Sequence, residues 1–529
     1  MSDRPSGTHH VAIAAPHGAA IDAARTVLEA GGNAVDAAVA AAAALTVVYP
    51  HMCSVGGDVI AVLRRPDGTQ ICINASGAYG SGSPVTELFE SMTSMPISGP
   101  LTVSVPGAVS GWTALLDTGG SLPASTVLAP AIKLAEEGVP VSPGLAESIE
   151  IERESLWADP GMRAKFFLDD GRPVPAGHLL LQPELARTLR DLAQDGLDSF
   201  YRGRTAARVA SGLQKLGVPV TRDDLYRHHP TIEPPLVRDF AGFSVSTAPP
   251  NSQGYTLLRS LGAALVGSPS PTSIDAGVLA EIFYDSDEHR DTYLADPRHA
   301  HVDIDELLTV SSDTAAFAQA AARLAGAPRL VSAATPRPGG DTVGIAAVSR
   351  DGTAVSLIQS VFHSFGSQLL EPDTGLVLHN RAAFFTLDTN SPNHVEVGKR
   401  PAHTLVPVIA TFDDGTVAAH GTMGGKAQSQ IHTQLILRAL SGLSAQATVS
   451  APRFIVGGLE AGTTNDKVLI EPTLEQTAVE QINRSTLTVT TGHKLDSNAG
   501  HSMVARVTAD GALDAGADPR SDGAALVFE

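Results

Sequence analysis

Little in this sequence ties it to an oxidising compartment, a membrane or a nucleic acid. Cysteine occurs twice in 529 residues, at Cys53 and Cys72, too few for a disulfide framework or a thiolate-built zinc site. Aromatic residues are 5% of the chain, and 36 basic residues face 56 acidic ones for a formal net charge of −20. That balance leaves no electrostatic footprint for nucleic acid or an anionic bilayer. Residues 1–10 are polar and lack the apolar stretch of a signal peptide. The longest apolar run, residues 37–48, falls short of the roughly 20 residues of a membrane-crossing helix. There is no G-x-x-x-x-G-K-[ST] phosphate loop, no H-E-x-x-H metal helix and no G-x-S-x-G elbow. The pairs His9-His10 and His228-His229 have no third metal ligand nearby and read as solvated. The expectation is a soluble, acidic, cytoplasmic protein with small-molecule chemistry and no metal or organic cofactor.

What is abundant is glycine, with 50 residues, and alanine, suited to closely packed helices and sheets. The length exceeds what one growing core supports, so two domains or one multilayer unit is expected. Residues 19–31 read as an amphipathic helix closed by Gly31-Gly32, and Asn33 caps a second, Ala-rich helix ending near Val48. Strands are expected at 59–63 and 70–74, and again at 235–247. Helices are expected at 127–137, 146–155, 183–194, 203–216 and 273–294. A Pro/Gly-rich connection at 335–340 is the clearest boundary. After it come short strands at 342–349, 354–361, 375–379, 405–412 and 416–420, a helix at 429–440 and a strand set near 466–504.

At that boundary stands Gly339-Gly340-Asp341-Thr342-Val343-Gly344-Ile345-Ala346-Ala347-Val348. A threonine hydroxyl is a poor nucleophile at neutral pH and needs an adjacent base. If the chain is cut before Thr342, the threonine's own new α-amine becomes that base. Taken alone, the same letters are equally those of a hairpin turn.

Other blocks decide between these. Gly31-Gly32-Asn33-Ala34-Val35-Asp36-Ala37-Ala38, Val55-Gly56-Gly57, Val105-Pro106-Gly107, Phe200-Tyr201-Arg202-Gly203 and Pro249-Pro250-Asn251-Ser252-Gln253-Gly254 precede the boundary. Phe365-Gly366-Ser367, Lys399-Arg400-Pro401, Gly424-Gly425, Ala451-Pro452-Arg453-Phe454 and Asp518-Pro519-Arg520 follow it. In this order the chain resembles the gamma-glutamyltranspeptidase family of N-terminal-nucleophile hydrolases along nearly its whole length. The resemblance implies an α+β fold, a four-layer αββα sandwich formed jointly by two subunits of one precursor. Cleavage between Asp341 and Thr342 would give a large subunit, 1–341, and a small one, 342–529. The product is a heterodimer, alone or as a dimer of heterodimers, with a small-molecule amide as substrate. The resemblance further implies Thr342 as nucleophile, Ser360 as the hydroxyl beside it, and Gly424 and Gly425 as the oxyanion glycines.

The substrate-reading positions depart from the family. Ser76 stands where the family has its carboxylate-binding arginine, and Phe362 where it has asparagine. Asn380-Arg381-Ala382-Ala383-Phe384-Phe385 replaces the family's Asn-Gln-x-Asp-Asp-Phe, and His403-Thr404 replaces a serine pair. A pocket with Phe362 and Phe384 and without the acid suits a zwitterionic amino acid poorly. Arg381, with His363 or His403 and Thr404, could hold a small carboxylate, since a guanidinium binds one bidentately; a structural ion pair is the alternative role for Arg381. The expected activity is that of an amidohydrolase on a small carboxylate-bearing amide, with oxamate the sharpest candidate. Three alternatives remain: a gamma-glutamyl hydrolase or transpeptidase with a rebuilt pocket, a cephalosporin-type acylase, and an uncut relative kept as a binding protein.

Overall fold

The structure is a computed structural model that describes residues 9–268, 270, 273–331, 340–457 and 464–529. Most of the Pro/Gly-rich connection, 335–339, therefore lies outside the described residues. The fold is α+β and rests on two large antiparallel sheets.

The first sheet runs, edge to edge, through Ala524–Phe528, Val11–Ala15, Asp341–Ser349, Ala354–Phe362, Asp58–Arg64, Gln70–Asn74 and Thr231–Glu233. The second runs through Leu513–Ala517, Ser502–Val507, Val417–Thr422, Val408–Phe412, Phe243–Thr247 and Leu236–Phe240. Side chains from both sheets, among them Ala346, Val348, Ile358, Ile409, Ala419 and Met503, form one buried cluster. Their period-two spacing points alternate residues of each strand at the opposite sheet.

Near the boundary motif the two sheets almost touch. A Cβ on Gly344 would lie 2.4 Å from the carbonyl carbon of Gly421, and one on Gly421 would lie 2.9 Å from the Gly344 Cα. Only hydrogen fits at either position, so this glycine pair sets the sheet separation beside Thr342.

The other face of the first sheet is covered by helices that share its larger core, including Gly18–Glu29, Ala34–Val48, Ala108–Gly119 and Ala124–Glu137. Asn33 starts the second of these by a capping box. Its side chain accepts from the Val35 and Asp36 amides, and Asp36 accepts the Asn33 amide at 2.9 Å. The Asp36 carboxylate also takes the Ser121 hydroxyl at 2.6 Å, so one residue both caps a helix and pins the next segment. Every residue from Ala34 to Val48 is buried, which explains the near-absence of a polar stripe. The second sheet is covered by Gly254–Val266, Ala276–Tyr293 and Gln428–Leu440, around Leu257, Leu261, Phe283 and Ile436.

Several expected elements form differently. The helix expected at 146–155 is two helices, Pro143–Ile151 and Arg153–Ala158. The strand set near 466–504 contains a helix, Gln476–Ile482. His228 is buried rather than solvated, with Nε2 2.8 Å from the Ser110 hydroxyl. No helix among the described residues is long and apolar enough to cross a membrane.

Candidate active site

Thr342 and Ser360 face each other because their strands are antiparallel neighbours in register, Ser360 opposite Thr342. Thr342 is 1% exposed. Its Oγ1 donates to Ser360 Oγ at 3.0 Å, and Ser360 Oγ donates to the Asp341 carbonyl oxygen at 2.8 Å. A hydroxyl has one proton and two lone pairs. The Phe362 amide also donates to Ser360 Oγ, at 2.8 Å, which leaves the serine's own proton for Asp341. Thr342 Oγ1, Ser360 Oγ and the Asp341 carbonyl thus form one hydrogen-bonded chain.

Gly424 and Gly425 lie at the end of Val417–Thr422, where the chain turns through Gly425–Ala427 into the helix Gln428–Leu440. Both have positive φ, 155° and 51°, conformations open to glycine at little cost. A Cβ on Gly340 would lie 3.0 Å from the Gly425 nitrogen, so this backbone packs directly against the residue preceding Asp341. Gln253 fixes the turn from below, its Nε2 donating to the carbonyls of Gly425 at 3.0 Å and Thr404 at 2.9 Å.

The register shifts between Ser360 and Phe362, so that Phe362 pairs with Asp341. Such bulges re-aim side chains next to active sites. Phe362 adopts φ 80°, a conformation that is costly for a bulky side chain. The result is a stack. Its ring lies 4.1 Å under the Arg381 guanidinium, 4.2 Å from the His363 ring and 5.5 Å from the Phe384 ring.

Arg381 is fully buried against that ring. Its Nη1 donates to Thr404 Oγ1 at 3.2 Å, Nη2 lies 3.4 Å from Ser360 Oγ, and Nε stands 3.6 Å from Asp58 Oδ2. Burial lowers its pKa to about 10 against the opposing pull of Asp58, so it stays charged at neutral pH. Asp58, which directly follows Gly56-Gly57 and which no local pattern in the sequence singles out, is the hub of this region. Its Oδ2 is 3.0 Å from His379 Nδ1 and 3.1 Å from His403 Nε2. Burial alone would raise its pKa, but the two histidines outweigh that and hold the carboxyl well below the usual carboxylate range. Burial, then the Arg381 charge, push His403 down to about 3, so His403 acts here as a neutral donor.

Of the expected pocket residues, Phe362, His363 and Phe384 line a cavity of about 470 Å³. Arg381, His403 and Thr404 stand behind it and are buried. His363 is oriented by Asn380, whose Oδ1 accepts the His363 amide at 3.0 Å. Ser76 is buried and bonded to Asn74 Oδ1 at 2.7 Å. No group of three or more His, Cys, Asp or Glu among the described residues could hold a metal ion.

The sequence matches the gamma-glutamyltranspeptidase family over residues 20–528. It is 37% identical to the oxamate amidohydrolase proenzyme of Klebsiella pneumoniae, over 98% of this chain and 99% of that one. It is 36% identical to the glutathione hydrolase-like YwrD proenzyme of Bacillus subtilis, over 99% and 100%. Among solved structures, the cephalosporin acylase of Bacillus halodurans superposes with a TM-score of 0.85 at 30% identity, covering 100% of this chain and 98% of that one.

Proposed function

The chain belongs to the gamma-glutamyltranspeptidase family, and from that premise we propose a self-processing amidohydrolase that uses Thr342 to cleave a small carboxylate-bearing amide, oxamate first among them. The hydrogen-bonded chain from Thr342 Oγ1 through Ser360 Oγ to the Asp341 carbonyl carries this reading.

In the precursor, Thr342 Oγ1 attacks the Asp341 carbonyl carbon. Ser360 polarises that carbonyl, and the Gly424 and Gly425 amides receive the developing oxyanion. The peptide nitrogen takes up the hydroxyl proton and departs as the Thr342 amine, and water hydrolyses the resulting ester to the Asp341 carboxyl and the free hydroxyl. The products are subunits 1–341 and 342–529, held as a heterodimer in a four-layer αββα sandwich. In turnover the Thr342 amine takes the proton from its own hydroxyl, which attacks the substrate amide. The C–N bond breaks, ammonia or an amine leaves with a proton, and water releases the acid from the acyl-enzyme.

Substrate size follows from a ruler in the site. Arg381 Nη2 reaches Thr342 Oγ1 through Ser360 Oγ in steps of 3.4 and 3.0 Å, so the two lie no more than about 6.4 Å apart. A carboxylate directly attached to the attacked carbonyl spans that gap once the Phe362 ring yields. The α-carboxylate of a gamma-glutamyl group, three methylene or methine carbons further along, overshoots it. Ser76, where the family's carboxylate-binding arginine is expected, offers no alternative anchor. A cytoplasmic setting suits such small-molecule chemistry. The apolar rings of Phe362 and Phe384 favour a second reading as an acylase of neutral acyl groups.

The test begins with intact mass under denaturing conditions, then ammonia release from oxamate against release from a chromogenic gamma-glutamyl anilide. Two chains split before Thr342 and ammonia from oxamate are expected. A single uncut chain would overturn the mechanism, and preference for the anilide would overturn the substrate.

A further inference from the structure

The cavity of about 470 Å³ is several times what a primary oxamate needs, since the departing NH2 group requires almost no room. Its wall combines the rings of Phe362 and Phe384 with Lys426, Asp291 and Asp388. Lys426 follows Gly424-Gly425 directly, and its ammonium lies 5.5 Å above the Phe384 ring. The side chain is 19% exposed, and Nζ makes one hydrogen bond among the described residues, at 3.4 Å to Asp291 Oδ2. An ammonium has three donors, so two of them remain unspent at the cavity wall.

The neighbouring charges are committed elsewhere. Arg290 donates to Asp287 at 2.7 Å and to Asp291 at 2.9 Å and is 3% exposed. Asp388 Oδ1 accepts from the Asn390 backbone and side-chain nitrogens at 2.9 and 3.0 Å. Arg381 lies beyond Phe362, on the Ser360 side. Lys426 is therefore the cation placed to meet a ligand in the open cavity.

Resting on the oxamate reading above, we infer that this cavity seats the amine half of the substrate and that Lys426 selects amines bearing a carboxylate, making N-(carboxyalkyl)oxamates the preferred substrates. Thr342 Oγ attacks the oxalyl amide carbon, the C–N bond breaks, and the amino acid departs with the proton taken from the hydroxyl. Water then attacks the acyl-enzyme ester. The net products are oxalate and an amino acid, with one water consumed. The aliphatic part of the amine packs on Phe384 while its carboxylate takes the free Lys426 donors.

The test measures oxalate release by the self-cleaved enzyme from oxamate, N-ethyloxamate and N-(carboxymethyl)oxamate, for wild type, Lys426→Ala, Lys426→Arg and Lys426→Glu. The quantity read is the ratio of kcat/KM for the carboxymethyl over the ethyl compound, which cancels any general damage next to the oxyanion glycines. The wild-type ratio should be tenfold or more, as expected on the order of magnitude for one charge-assisted hydrogen bond. It should persist in Lys426→Arg, fall close to one in Lys426→Ala and drop below one in Lys426→Glu. A wild-type ratio near one, or a ratio unchanged in Lys426→Ala, overturns the inference and leaves the oxamate reading standing if oxamate is turned over. An enzyme that self-cleaves but releases oxalate from none of the three overturns both.

Discussion

At the scale of single residues, the site depends on groups that have given up water and hold one another instead. On the proposed mechanism Thr342→Ala removes the attacking oxygen, so the protein should stay a single chain and show no amidase activity by intact mass and ammonia assay. Ser360→Ala leaves the Asp341 carbonyl without its 2.8 Å donor. Loss of one such donor costs on the order of 10²–10³ in rate, so cleavage followed on denaturing gels should slow by that order, and Ser360→Thr should restore most of it. Asp58→Ala strands the buried Arg381 guanidinium without its carboxylate. Breaking a buried pair costs about 3–5 kcal/mol, and the melting temperature should fall accordingly, with cleavage impaired because Arg381 no longer stands beside Ser360.

At the scale of elements, the glycine pair Gly344 and Gly421 lets two strands of opposite sheets approach beside Thr342. A methyl group at Gly344 has nowhere to go, with the Gly421 carbonyl carbon at 2.4 Å. Overpacking of this kind costs about 1–3 kcal/mol. Gly344→Ala should therefore lower the melting temperature and slow self-cleavage, both measurable on one sample. The elements most legible in the sequence were those with local punctuation. The Asn33 cap marked the start of its helix, and the run of small and β-branched residues after Gly339-Gly340-Asp341 marked the Thr342 strand. The helix Gly254–Val266 escaped notice because it is buried on nearly all sides and so lacks a polar stripe. The four-residue turn Arg381–Phe384 was legible as a departure from the family, yet its burial was not, because the residues that enclose Arg381 lie far away along the chain. Asp58 was missed for the same reason. Its histidine partners are 321 and 345 residues downstream, and nothing in a local Gly-Gly-Asp pattern announces them.

At the scale of the whole molecule, neutral histidines sit deep in both halves of the chain. Burial first of all pushes His51, His228 and His403 down to about 3, and His420 and His501 to about 4. In the unfolded chain each would titrate near its ordinary value of about 6.5. Between these values the unfolded state binds protons that the folded state refuses, so stability rises with pH across that window and is lost as pH falls through it. The melting temperature should drop steeply from pH 7 to pH 5, more than the surface carboxylates, whose ordinary range lies lower, could account for. Both sheets are mosaics of strands from before and after residue 342. A cut before Thr342 should therefore leave one particle by size exclusion and one cooperative unfolding transition by calorimetry, with two chains seen only after denaturation. Chain ends made by translation are charged and stay at the surface, because drawing an ammonium into a dry site is costly. A terminus at Thr342 would arise only after the sheet has closed around it, at a point 1% exposed. The folding reaction never has to strip water from that amine, since during folding it is still an uncharged amide. On the proposed cleavage, the finished protein would hold a desolvated amine biased toward its neutral, proton-accepting form, in a place that no newly synthesised chain could deliver it.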